Sequence, residues 1–208
     1  MANTSRINGF RPVKHLNGSP YNGQANLYYV YSASANLGVG DVVKFEDRST
    51  NATGITVPTV DLAAAGDAIV GVIVGMVNAK LDPFGGLTTG SINIDTPQYL
   101  ASGSSGYVLV ADSDDVLFEV EASNGTPTNR NIGLNINHAN GTLSTTTGSS
   151  GATIDFGTEA ATATLTFKIM GLVNRPDNEI GASARMLVKI NNSQLGSSTG
   201  TAGVGTAG

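Results

Sequence analysis

Residues 106–121, Gly-Tyr-Val-Leu-Val-Ala-Asp-Ser-Asp-Asp-Val-Leu-Phe-Glu-Val-Glu, set two apolar runs around an acidic link. Tyr107 to Ala111 and Val116 to Val120 are rich in the aromatic and branched side chains that suit a pleated, half-buried surface. Asp112, Ser113, Asp114 and Asp115 between them favour a turn, because their short polar side chains cap local backbone groups. Strand, acidic turn, strand predicts a β-hairpin. In its second arm Val116, Phe118 and Val120 share one face and Glu119 and Glu121 the other, since side chains alternate along a strand.

Composition extends that reading to the whole chain. Of 208 residues 40% are hydrophobic and only 13% charged, with 27 glycines and neither Trp nor Cys. Few charges with many Gly, Ser, Thr and Asn point to turn-rich β structure rather than a helical bundle. Without Cys there is no disulfide and no thiolate metal site. The longest apolar run, Ala68 to Val77, is about half of the roughly 20 residues that a membrane-spanning helix needs. The first ten residues show no apolar h-region of a secretory signal. No membrane partner is expected.

Further strands follow from composition and alternation. They are expected around Leu27–Tyr31, Val39–Phe45, Ala68–Val77, Ser91–Ile94, Ile132–Ile136, Thr162–Met170 and Met186–Ile190. The alternation is cleanest at Thr162–Met170, where Ala163, Leu165, Phe167 and Ile169 oppose Thr162, Thr164, Thr166 and Lys168. The glycines of Ala68–Val77 permit close backbone approach or bending. Residues 46–59 read as a polar loop, Asp82 to Gly86 as a turn, and residues 139–152 as a mobile loop or hairpin tip. The fold class is all-β: a small barrel or sandwich of short strands with an extended N-terminal arm and a disordered C-terminal tail.

Three segments are expected. Residues 1–26, with Pro12, Pro20 and scattered apolar side chains, read as an extended arm that orders on docking. Residues 27–195 form the β domain, with a division into two small subdomains near 122–131 left open. Residues 196–208, almost all Gly, Ser, Thr and Ala, are too poor in apolar surface to offset their ordering entropy. Charge is uneven. Residues 1–40 carry Arg6, Arg11 and Lys14 and no acid (+3), and the remainder carries 8 basic and 16 acidic residues (-8), summing to -5. An acidic body argues against a nucleic-acid partner, because a phosphate backbone must be neutralised by Lys and Arg. A basic arm on an acidic body reads either as a segment that docks, on an acidic partner for instance, or as a short solvated tail. Phe10, beside Arg11 and Pro12, either anchors the arm on a neighbouring subunit or packs on its own domain.

Catalytic chemistry is not expected. Asp112, Asp114 and Asp115 lack the spacing of a Ca²⁺ loop, and a hairpin tip offers carboxylates no cleft in which one pKa is shifted. His15 and His138 are far apart in sequence. The Gly-Ser stretches at 103–106 and 148–151 lack the residues of a phosphate loop or nucleophile elbow. No cofactor and no metal are expected, and the chain reads as a non-enzyme. Tyr28, Tyr29 and Tyr31 could stack on a sugar, or simply complete a strand.

The arm, residues 1–24 from Met-Ala-Asn-Thr-Ser-Arg to Pro-Tyr-Asn-Gly-Gln, resembles the N-terminal arm of small virion proteins of tailed bacteriophages. Residues 106–121 are similar to a hairpin of the same group, and Asn178-Glu-Ile-Gly-Ala through Ile190-Asn-Asn-Ser-Gln-Leu resembles its C-terminal end. These are capsid decoration, or cement, proteins. The resemblance implies a non-enzymatic structural protein on the outer surface of a bacteriophage capsid, made in the host bacterial cytoplasm. Its partners would be the major capsid protein, whose subunits it braces, and itself, as a homotrimer. Arg6, Phe10, Arg11, Pro12, Lys14 and Tyr21 are then the expected capsid or subunit contacts. A competing reading is a carbohydrate-binding or host-adhesion module of a phage fibre or capsid, using the three tyrosines.

Overall fold

The computed structural model describes residues 3–52, 55–77, 79–81, 87–89, 98–196 and 199–204. The chain is all-β. In order run β1 (Arg11–His15), β2 (Asn26–Val30), β3 (Val42–Ala52), β4 (Ile55–Leu62), β5 (Gly71–Val77), β6 (Ala79–Leu81) and β7 (Leu87–Thr89). They are followed by β8 (Gly106–Ala111), β9 (Val116–Ser123), β10 (Asn135–Ala139), β11 (Thr153–Ala160), β12 (Phe167–Leu172) and β13 (Arg185–Ile190). A 3₁₀ turn, Asn129–Asn131, precedes β10.

Strands β2, β4, β3, β5 and β8 close into a barrel in that order. In the second sheet β9, β11, β10, β12 and β13 pair in sequence and β13 pairs back to β9, so it too curls into a ring, with β1 added along β9. The barrel encloses Val30, Val43, Val60, Ile73, Val108 and Val110. A larger core joins barrel residues Val42, Ile69 and Val72 to Phe118, Ile136, Phe167 and Met186 of the second sheet. Each such side chain contributes roughly 1.5–3 kcal/mol by leaving water. The two units therefore share one core.

The expected hairpin is corrected. β8 pairs with β2 and β5 in the barrel, whereas β9 pairs with β1, β11 and β13. The acidic link at 112–115 is a crossover between the barrel and the second sheet. Tight hairpins favour two-residue turns with glycine or asparagine at positive φ; this link has four residues and no glycine. Its carboxylates are committed to the two units separately. Asp112 accepts hydrogen bonds from Tyr28 Oη (2.7 Å) and Asn26 Nδ2 (2.8 Å) of β2, and Asp115 pairs with His15 Nδ1 of β1 at 3.0 Å.

Residues 3–10 of the arm carry no regular secondary structure; they dock on the body, and the chain continues into β1 as part of the second sheet. It crosses the body where Phe10 N donates to Gly40 O at 3.0 Å. Gly9 adopts φ +66°, and a Cβ there would lie 2.7 Å from Gly40 O, so only glycine fits the crossing. The C-terminal tail, expected to be disordered, is laid against the second sheet over its described residues 199–204. Thr201 N donates to Asn191 Oδ1, Asn135 Nδ2 to Thr201 O, and Val204 N to Gly133 O.

Other expectations shift in detail. Residues 46–59 lie largely in the β3–β4 ribbon, which no alternation of apolar residues announces. β11 lies in a stretch not expected as a strand. Residues 139–152 form a folded turn, with Ser144 bridged to Ser149 and Ser149 to Val39 of the barrel side. The expected turn at Asp82–Gly86 and strand at Ser91–Ile94 lie outside the described residues.

Candidate functional site

The six expected contact residues do not form one outward surface. Phe10 is fully buried, stacked on Phe167 with ring centroids 4.6 Å apart, and cannot contact another protein. The alternative, packing on its own domain, is the one realised, because a buried aromatic pair contributes more than an exposed ring. Pro12 pairs with Phe118 within the sheet. Tyr21 packs against the larger core and its Oη donates to Gln24 O at 2.6 Å. The half-buried Arg11 donates from Nε to Asn8 O (3.0 Å) and from Nη2 to Ser149 Oγ (3.1 Å). Burial, and then the charge of Arg185, push the pKa of Arg11 down. Only Arg6 and Lys14 are exposed.

Arg6 belongs to a larger arrangement at the root of the arm. Glu119 and Glu121 of β9, on the face opposite Val116, Phe118 and Val120, are covered by the arm and by Arg175 and Arg185. Cross-strand register places Arg185 opposite Glu121. Arg175 forks onto Glu119, with Nη2 at 2.8 Å from Oε1 and Nη1 at 3.4 Å from Oε2. Buried Glu121 accepts from Ser5 Oγ and from the Arg6 backbone N–H, both at 2.7 Å. Asn178 closes the loop before β13, donating to Val173 O and Arg185 O while accepting from Arg185 N. Against this network lies a cavity of about 130 Å³, lined by Arg6, Arg175, Asp177 and Arg185 among others.

Sequence reasoning passed over Arg175 and Arg185, which stand in a turn and at a strand start. The signal available was charge pattern: two acids on one face of β9 and a basic residue opening an apolar strand. Strand partners, however, are not written in local sequence.

The remaining candidates resolve separately. Among the described residues no group of three or more His, Asp or Glu side chains is arranged to hold a metal ion, and no helix is long and apolar enough to cross a membrane. His15, at the end of β1, pairs with Asp115 of the acidic link, while His138 is buried, its Nε2 3.2 Å from Ala63 O. Tyr28 points inward with its hydroxyl on Asp112, and burial, reinforced by that hydrogen bond, pushes its pKa up. Tyr29 tilts against Tyr107 at 5.0 Å, and Tyr31 is exposed. No family model, curated protein or solved structure matches the chain.

Proposed function

We propose that this protein is a non-enzymatic structural component of a tailed-phage virion. In this reading it decorates the outer capsid surface and braces neighbouring major capsid subunits, acting as a homotrimer. The resemblance of the arm, of residues 106–121 and of residues 178–195 supports this reading. The structural observation that carries it is the arm's placement: hydrogen-bonded along the body, it leaves Arg6, Ile7, Lys14 and Leu16 exposed. A pre-ordered surface spares the entropy of ordering a free arm when it binds, and weak contacts repeated on a lattice sum to strong attachment.

Co-sedimentation with expanded and unexpanded capsid shells tests the reading. Saturable binding to expanded shells is expected, weakened by joint replacement of Arg6, Ile7, Lys14 and Leu16 with Ser. Failure to bind either shell would overturn it. Sedimentation equilibrium separately tests the trimer.

A second reading, carbohydrate binding, has one observation in its favour: Tyr31, just past the end of β2, presents an exposed ring. A glycan array, with Tyr31→Ala as the control, tests it.

A further inference from the structure

The side chain of Arg185 is only 9% exposed, yet among the described residues its guanidinium makes no hydrogen bond. Its nearest carboxylate oxygens stand at 3.7 Å (Glu119 Oε1 to Nη1) and 4.0 Å (Glu121 Oε2 to Nη2). Glu119 is engaged by the fork of Arg175, and each oxygen of Glu121 accepts one hydrogen bond, from Ser5 Oγ and from the Arg6 backbone N–H. A guanidinium carries five N–H donors in a fixed plane, and those of Arg185, held from both carboxylates at ion-pair rather than hydrogen-bond distance, remain open to an oxygen ligand.

These donors border the cavity of about 130 Å³, whose wall also includes Arg6, Arg175, Asn3, Ser183 and Asp177. Two of the three arginines are well exposed at its mouth: the side chains of Arg6 and Arg175 are 64% and 45% accessible. Asp177 is the acid on that wall, 3.5 Å from Arg6 and 3.7 Å from Arg175. The wall itself carries three arginines against one carboxylate, Asp177, while Glu119 and Glu121 pair with Arg175 and Arg185.

We propose that this cavity is an oxyanion-binding site, in which the unfilled guanidinium of Arg185, with Arg175 and Arg6 at the mouth, holds a carboxylate or phosphate group. Planar guanidinium forks match both anions through paired, charge-assisted hydrogen bonds. Asn3 and Ser183 add neutral donors. Asp177 disfavours a highly charged ligand and favours one presenting a single anionic group. The site stands independently of the capsid reading, since it rests on the protein's own unfilled donors.

The test titrates the full-length protein with sodium phosphate and, separately, sodium acetate, against sodium chloride at equal ionic strength. Thermal unfolding and the ¹H–¹⁵N resonances of the arginine Nε groups are followed. A saturable rise in Tm and a shift of the Arg185 Nε resonance, with phosphate or acetate and not with chloride, are expected. Arg175→Gln releases Glu119 to turn onto Arg185, fill its donors and weaken anion binding at least tenfold in a folded protein. Arg185→Lys keeps a charge but loses the fork, and is expected to weaken binding similarly. Should that variant fail to fold, Arg175→Gln decides alone. Phosphate and acetate acting no differently from chloride would mean that the cavity holds only water, overturning the proposal. Unchanged affinity in Arg175→Gln would overturn it equally.

Discussion

Phe10 stacks on Phe167 with ring planes 18° apart, and both rings are fully buried. One ring comes from the arm and the other from β12, so the contact ties the N-terminus into the centre of the second sheet. It makes the arm part of the core rather than an appendage.

Phe10→Ala is accordingly expected to cost about 3–5 kcal/mol, the usual loss for emptying a buried aromatic site. Urea unfolding followed by tyrosine fluorescence measures it. Removal of residues 1–20 deletes Phe10 and β1 together and is expected to unfold the second sheet. A truncated chain as stable as the parent would contradict the placement of the arm.

Gly9→Ala tests the crossing itself. The substitution forces a Cβ into the Gly40 carbonyl at a positive φ, and a loss of about 1–3 kcal/mol is expected from overpacking and backbone strain. Gly18→Ala is the comparison: its φ is also positive, but nothing lies within 4 Å. The difference between the two in Tm isolates the steric part.

His138 gives the protein a pH dependence. Nε2–H donates to Ala63 O and Nδ1 is buried without a partner, which describes a neutral ring. Burial pushes its pKa below the ordinary histidine value, outweighing the Ala63 hydrogen bond and the charge of Asp67. The unfolded state therefore takes up a proton first. The stability is fully present above about pH 6.5, the unfolded value, and is lost as pH falls through the depressed folded value. Asp41 acts with the opposite sign, since burial raises its pKa despite hydrogen bonds from Ser150 and Gly38. Urea midpoints from pH 7.5 to 5 are thus compared between the parent and His138→Phe. The variant is expected to lose the histidine part of the slope. Asn140 Nδ2, 2.7 Å from Ala63 O, keeps that carbonyl satisfied. Equal slopes would sink the assignment.

Truncation after residue 195 removes the hydrogen bonds of Thr201 to Asn191, of Asn135 to Thr201, and of Val204 to Gly133. Asn135 Nδ2 retains Thr162 O at 2.9 Å, and ordering a glycine-rich tail costs entropy, so the net loss is expected to be about 1–2 kcal/mol. A calorimetric Tm unchanged within error would place the tail's contribution near zero.

Much of the fold was legible because β patterning is local. Val116, Phe118 and Val120, and Phe167 and Ile169, are buried as their alternation dictates. Pairing is not local. The same link that promises a hairpin carries the chain from the barrel to the second sheet, because Asp112 and Asp115 find partners on different units. Which of the two placements Phe10 takes was not legible for a related reason. Its apolar residues show no period, yet a single ring, Phe10, suffices when Phe167 offers a stacking partner. A tail of Gly, Ser, Thr and Ala announces too little burial to order itself, and only asparagine side chains of the sheet, Asn135 and Asn191, reveal what holds it.

By itself, the sequence determined the all-β class, the inward faces of β9 and β12, and the basic charge of the arm. Those follow from side-chain period and composition. Only the tertiary structure decided that β8 and β9 part company, that Phe10 is core, and that Arg185 is left with unfilled donors. These three depend on competition among distant groups for the same partners, and that competition is settled only when the whole chain is in place.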